Sequence, residues 1–145
     1  NRQFLIDWLT MLAGGADSAE AETIRDAVSA NFDQPLAHRR LRHLVELLRG
    51  GTRPRAGDLY ARMRPWWGEG ERAWLFDNES DLTDLSAATV GFDMTALLDD
   101  PVARTPALLY FFHRVEERLD GTPARTRWRA GFPAPSSNRP PRRSS

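Results

Sequence analysis

The 145-residue chain is long enough for one domain with a moderate core: 41% of its residues are hydrophobic, and its formal net charge at pH 7 is zero. It has no cysteine, which excludes disulfides and thiolate metal sites. All 20 basic residues are arginine, so neither a phosphate-loop lysine nor a Schiff-base lysine is available, and no apolar run approaches the roughly 20 residues that span a bilayer.

The first half reads as short amphipathic helices. "NRQFLIDWLTMLAGG" places Phe4, Leu5, Trp8, Leu9 and Leu12 on one helical face, with Gly14 and Gly15 as the stop. "DSAEAETIRDAVSANF" offers Asp17 or Ser18 as an N-cap, acids in the first turn, and a stripe of Ile24, Val28 and Phe32. "QPLAHRRLRHLVELLRGG" is expected to start near Pro35, to carry Leu41, Leu44, Val45 and Leu48 on one side, and to end at Gly50. "AGDLYARMRPWW" is a shorter helix capped by Asp58 and limited by Pro65. No repeat and no signal peptide is legible.

The texture then changes. "RAWLFDN" at 72–78 is a brief apolar run closed by a turn-forming pair, and "ATVGFDM" at 88–94 is another, with the Thr89 and Val90 of a strand; the two are expected to be sheet strands. "TALLDDP" is a helical turn. "RTPALLYFFHRVEERLDG" is the strongest helix, with Thr105 as cap, Pro106 at its first position and Gly121 just past its end. Leu108, Phe112, Val115 and Leu119 form its stripe, and Leu109, Tyr110 and Phe111 make its first half apolar almost all round. Such a helix is expected to lie between layers and to be the most buried element; Phe112→Ala would then cost roughly 3–5 kcal/mol. A strand followed by this helix is half of a βαβ unit, which requires a second parallel strand after the helix. Residues 123–145 do not supply it. They hold six arginines, five prolines and no acid, whereas residues 1–122 hold 14 arginines against 20 acids. The tail is expected to be disordered, with weak anionic contacts through its arginines as its one interaction.

Motifs with chemistry are few. "DNESDLTDL" has carboxylates at Asp77, Glu79, Asp81 and Asp84. A calcium loop would need glycine where Leu82 stands and glutamate where Ala88 stands, so a solvated acidic turn is the expectation. His38 and His43 are five apart, off the spacing that shares a helix face, and His113 reads as a packed histidine. Trp66 and Trp67 are expected to close a small core. Asp93 and Thr95 follow the strand pattern, where α/β sheets place ligand groups, although the favoured reading is that Thr95 merely caps the short helix after it.

The stretch "VGFDMTALLDDPVARTPALLYFFHRVEERLDG", with the upstream "NRQFLIDWLTMLAGG", resembles the large ATPase of type IV secretion and conjugation machines, the TrbE/CagE family (the fourth VirB-type protein). The resemblance covers residues 1–122. It implies a mostly helical α/β fragment of a RecA-like P-loop domain, lying between Walker A and Walker B. Residues 1–70 would be a helical insertion, 71–122 a partial strand–helix segment, and 123–145 a basic tail. Family members continue from "DGTP" into an apolar strand ending in an Asp-Glu pair; here "ARTRWRAGFPAPSS" stands instead, as a frameshift or junction near codon 123 would produce. No catalytic, cofactor-binding or metal residue of the family is therefore carried onto this chain. ATP and magnesium, self-association into rings, other secretion components as partners and a cytoplasmic position at the bacterial inner membrane are implied for the intact family, and the chain alone is expected to be inactive and without specific nucleic-acid binding. The alternative is a free-standing helical interaction module with a basic tail.

Overall fold

The structure, a computed structural model, describes residues 1–49, 56–78 and 94–120. Among these residues every regular element is helical: α1 (Arg2–Leu12), α2 (Ser18–Phe32), a 3₁₀ turn (Leu36–His38), α3 (Leu41–Leu47), α4 (Leu59–Met63), a 3₁₀ turn (Arg64–Trp66), α5 (Ala73–Phe76), α6 (Thr95–Leu98) and α7 (Pro101–Asp120). No helix among them is long and apolar enough to cross a membrane.

Local signals explain most of the boundaries. The Asn1 side chain accepts from the Phe4 N–H to open α1. Gly14 (φ +74°) and Gly15 (φ +110°) close it in the left-handed region where a side chain is strained. Asp17 and Glu20 form a reciprocal capping box at α2, at 2.9 and 3.0 Å. Asp58 caps α4 through the Ala61 N–H at 2.8 Å. The third helix departs from expectation. Pro35 begins only a 3₁₀ turn, and α3 starts at Leu41 after Arg39 leaves helical geometry. Arg39 instead folds back, donating to the carbonyls of Phe32 (2.7 Å) and Gln34 (2.8 Å), so its charge caps the end of α2.

The core lies where the apolar stripes of α1, α2 and α3 meet. Trp8, Leu9, Leu12, Ile24, Val28, Leu41, Leu44, Val45 and Leu48 are all buried, joined by Leu59, Met63 and Trp66. It runs on without interruption past position 70 to Leu97, Ala103 and Ala107. Phe76 is a hinge of this packing. Its ring stands edge-on to Trp8 (4.7 Å between centroids) and touches Trp66 (5.9 Å) and Tyr110 (5.8 Å).

Three expectations are corrected. The run at 72–78 is not extended: Ala73–Phe76 forms a helical turn, closed by Asp77 N–H to Ala73 O at 2.9 Å. A turn satisfies its own backbone, whereas a lone strand would need a neighbour to accept its bonds. The second expected strand, at 88–94, lies outside the described residues except for Met94, as do the Gly50 helix end and the tail beyond Asp120.

The last helix begins earlier than Thr105. Asp100 caps it, its Oδ1 accepting from the N–H groups of Val102 (3.0 Å) and Ala103 (3.1 Å), and Pro101 takes the first position. Pro106 is thus interior, and the bond it would have donated to Val102 O is forgone. Two Asp/Thr-Pro pairs compete for the start, and the one whose cap is also gripped by Arg72 prevails.

The third correction concerns which face of α7 is covered. The buried residues are Ala103, Pro106 and Ala107, facing α1; Phe112 is 59% exposed, Leu119 is exposed, and Leu108 and Val115 are half-buried. The α1–α3 core, not α7, is the most buried part. Small residues let α7 approach α1 closely, so contact is made through the alanine face rather than the large apolar stripe.

Candidate functional site

Among the described residues, three arginine–carboxylate junctions each fasten two or more elements. In the first, Arg62 of α4 donates from Nη1 to the carbonyls of Ala13 (3.0 Å) and Gly15 (2.8 Å), and from Nη2 to Glu20. One guanidinium therefore satisfies the orphan carbonyls after α1 and braces the capping box of α2. The Glu20 carboxyl is held below its ordinary range, first by the Arg62 hydrogen bond and then by the Asp17 N–H.

In the second junction, Arg42 of α3 makes a bidentate pair with Asp77, at 3.0 and 2.9 Å. Asp77 Oδ2 also accepts from the Gly68 N–H at 2.8 Å. The Asp77 side chain is buried, and burial pushes its pKa up. The Arg42 hydrogen bonds and the Gly68 N–H outweigh that, with the charges of Arg42 and Arg40 adding to them, so the carboxyl titrates below the usual range. The expectation of a solvated acidic turn is thus overturned at Asp77, which is a buried tie between α3, the tryptophan turn and α5. Glu79, Asp81 and Asp84 lie outside the described residues.

In the third, Arg72 binds Asp100 (Nε to Oδ2, 2.7 Å; Nη2 to Oδ1, 3.3 Å) and also pairs with Glu71. Asp100 is held below its ordinary range, foremost by Arg72, and the Arg72 guanidinium is pushed correspondingly up. That guanidinium also lies 5.5 Å over the Trp66 ring.

Two tryptophans complete the framework. Trp66 is buried and donates to Leu12 O at 2.9 Å, and Trp8 donates to Pro106 O at 3.0 Å. The core reading of the tandem pair holds for Trp66. Trp67 is half-buried, edge-on to Tyr60 (5.7 Å) and under the Arg64 guanidinium (4.8 Å). Gly70 is required beside it, since a Cβ there would collide with the Arg64 carbonyl. Tyr60 donates to Glu46 at 3.0 Å, and its pKa is raised, first by burial and then by that bond.

The remaining candidates resolve individually. His113 is packed as expected, stacked on Phe4 at 3.7 Å with Nε2 3.3 Å from Glu117. The His38 and His43 rings meet edge to face at 5.7 Å, with His43 Nδ1 3.1 Å from the His38 carbonyl. No group of three metal-ligating side chains occurs among the described residues. Thr95 is the first residue of α6, and Met94 occupies the cap position. Asp93 lies outside the described residues.

Sequence reading missed the arginine junctions. A signal was present: Arg62 interrupts the stripe Leu59–Met63–Trp66, Asp77 falls four residues after buried Ala73, and Asp100 falls on the face of Ala103 and Ala107. A charged residue in register with an apolar stripe needs a buried partner. Carboxylates held ionised by arginine are weak proton acceptors near neutrality, so these junctions fasten helices rather than move protons.

No family model matches the chain, and no solved structure does. Among curated proteins, the type IV secretion system protein PtlC of Bordetella pertussis is 34% identical over 132 residues. The type IV secretion system protein virB4 of Bartonella henselae is 32% identical over 125 residues, and virB4 of Rhizobium radiobacter 29% over 126. Each match covers 83% of this chain but only 16% of the relative. The chain belongs to the VirB4 and PtlC family of type IV secretion system proteins, of which it matches one segment.

Proposed function

We propose that the chain is a segment of the ATPase that energises type IV secretion or conjugal DNA transfer, and that it binds and hydrolyses no ATP by itself. Residues 1–70 serve as a helical insertion and 71–122 as part of a RecA-like domain. In the intact protein this segment works at the cytoplasmic face of the inner membrane, among other secretion components. The observation that carries the reading is the match to secretion proteins over 83% of the chain. The sequence supports the inactivity: it has no lysine and no Gly-rich phosphate loop. The described site supports it too, because its carboxylates are occupied in arginine junctions.

Two measurements test the proposal. Titrating ATP with magnesium into the chain by calorimetry should give no binding heat; a micromolar dissociation constant would overturn the inactivity. Replacing the matched segment of the Bordetella protein with this chain should preserve a folded protein that hydrolyses ATP. A well-folded chimera devoid of ATPase activity would count against the assignment.

A further inference from the structure

Of the three histidines, His113 is packed against Phe4, and the other two are exposed and stand together. They do not share a helix. His38 ends the 3₁₀ turn, and His43 lies in the first turn of α3. Between them the chain leaves helical geometry at Arg39 and resumes it at Leu41. On a continuous helix, residues five apart would point about 140° away from each other. The break instead brings the two rings to 5.7 Å between centroids, with their planes 85° apart.

A hydrogen bond beside the pair fixes the chemistry of one ring. His43 Nδ1 lies 3.1 Å from the His38 carbonyl oxygen. A carbonyl oxygen only accepts, so Nδ1 carries the proton, and Nε2 of the neutral ring keeps its lone pair. Metal-binding imidazoles are oriented in this way, with the second ring nitrogen donating to a backbone carbonyl or a carboxylate. The ring spacing agrees. With zinc–nitrogen bonds near 2.0–2.1 Å, two imidazoles on one tetrahedral ion stand roughly 5–6 Å apart between centres. Both side chains are exposed, so water has access to the remaining ligand positions. The neighbouring charges weaken cation binding without excluding it. Arg42 is neutralised by Asp77, and Arg39 is turned toward the carbonyls of Phe32 and Gln34. Glu46, one turn after His43, carries the nearest carboxylate in sequence and is engaged by Tyr60 and Arg49.

We propose that His38 and His43 chelate zinc, tying the 3₁₀ turn to α3 across the break between them. Imidazole nitrogen suits this ion, and the chain offers no thiolate to compete for it. The site is independent of the secretion assignment. Two protein ligands in place of four put the dissociation constant on the order of 1–100 µM.

Calorimetric titration of zinc chloride into the full chain near neutral pH should show one ion bound per chain. His38→Gln or His43→Gln should weaken binding at least tenfold, whereas His113→Gln should leave it within twofold. Both exposed substitutions should preserve the helical circular dichroism, so loss of binding is not loss of fold. One pH unit below the ordinary imidazole pKa, the wild-type affinity should fall at least tenfold. Zinc should raise the thermal midpoint of the wild type and not that of His43→Gln. Unchanged affinity in the double variant overturns the site, as does a wild-type dissociation constant weaker than about 1 mM. One ion per two chains, with a zinc-dependent dimer in sedimentation, overturns chelation within a chain in favour of a bridge between copies.

Discussion

Helices α1 and α7 carry comparable apolar patterns and meet different fates. In α1 the stripe read from periodicity is the buried one: Trp8, Leu9 and Leu12 are enclosed by α2 and by the tryptophan turn. In α7 the equivalent stripe points outward, and the alanines make the contact. The difference teaches that periodicity reports an apolar face but not the neighbour available to it. Helix α1 finds α2 after a five-residue linker, so local chain connection supplies the partner. Helix α7 reaches back nearly a hundred residues to α1, where Trp8 donates to Pro106 O and Phe4 stacks on His113. Close approach there favours small side chains.

The largest expected effect sharpens that contrast. Trp8→Ala removes a buried ring, its contacts with Phe76 and Tyr110, and its hydrogen bond to α7. It should destabilise the chain by about 3–5 kcal/mol in denaturant unfolding. Phe112→Ala belongs at the other end of the scale.

Next in size is Arg62→Ala. It strands the carbonyls of Ala13 and Gly15 and should cost about 1–3 kcal/mol. Arg62→Lys should recover only part of this, because an ammonium cannot reproduce the planar fork. An Arg62→Lys variant as stable as the wild type would show that the fork geometry is immaterial.

A pH titration addresses the junctions together. Glu20, Asp77 and Asp100 all have folded pKa values below their unfolded ones. The folded state therefore binds fewer protons, and the stabilisation is fully present above the unfolded values. It should be lost as pH falls below about 4 and through the folded values. Arginine stays charged throughout, so no matching loss is expected from the basic partners. Thermal midpoints at pH 7 and pH 3 check this, and Asp77→Asn should flatten the acid limb. A midpoint independent of pH down to 3 would remove the junctions from the stability account.

The smallest effect is Phe112→Ala in the chain alone, expected within about 0.5 kcal/mol because the ring is already outside. A loss near that of Trp8→Ala would show that the outer stripe is covered.

Local chemistry was legible where a residue acts on its own neighbours in sequence. The caps at Asp17 and Asp58 follow from side chains reaching backbone groups three residues away, the stop at Gly14 from its left-handed backbone, and the stripes of α1–α3 from the 3.6-residue repeat. Legible too were the packed His113 and the core place of Trp66. The junction Arg42–Asp77 spans 35 residues, Arg62 reaches back 42 to Glu20, and Arg72 reaches 28 forward to Asp100. Nothing in local propensity pairs such residues, since many arginines and acids could combine. By itself, then, the sequence determined the stripes of α1–α3, the caps of α2 and α4 and the resemblance to secretion ATPases. Tertiary structure alone decided which arginine meets which carboxylate, that residues 73–76 coil rather than extend, and which face of α7 turns inward, because those outcomes depend on partners brought together from distant parts of the chain.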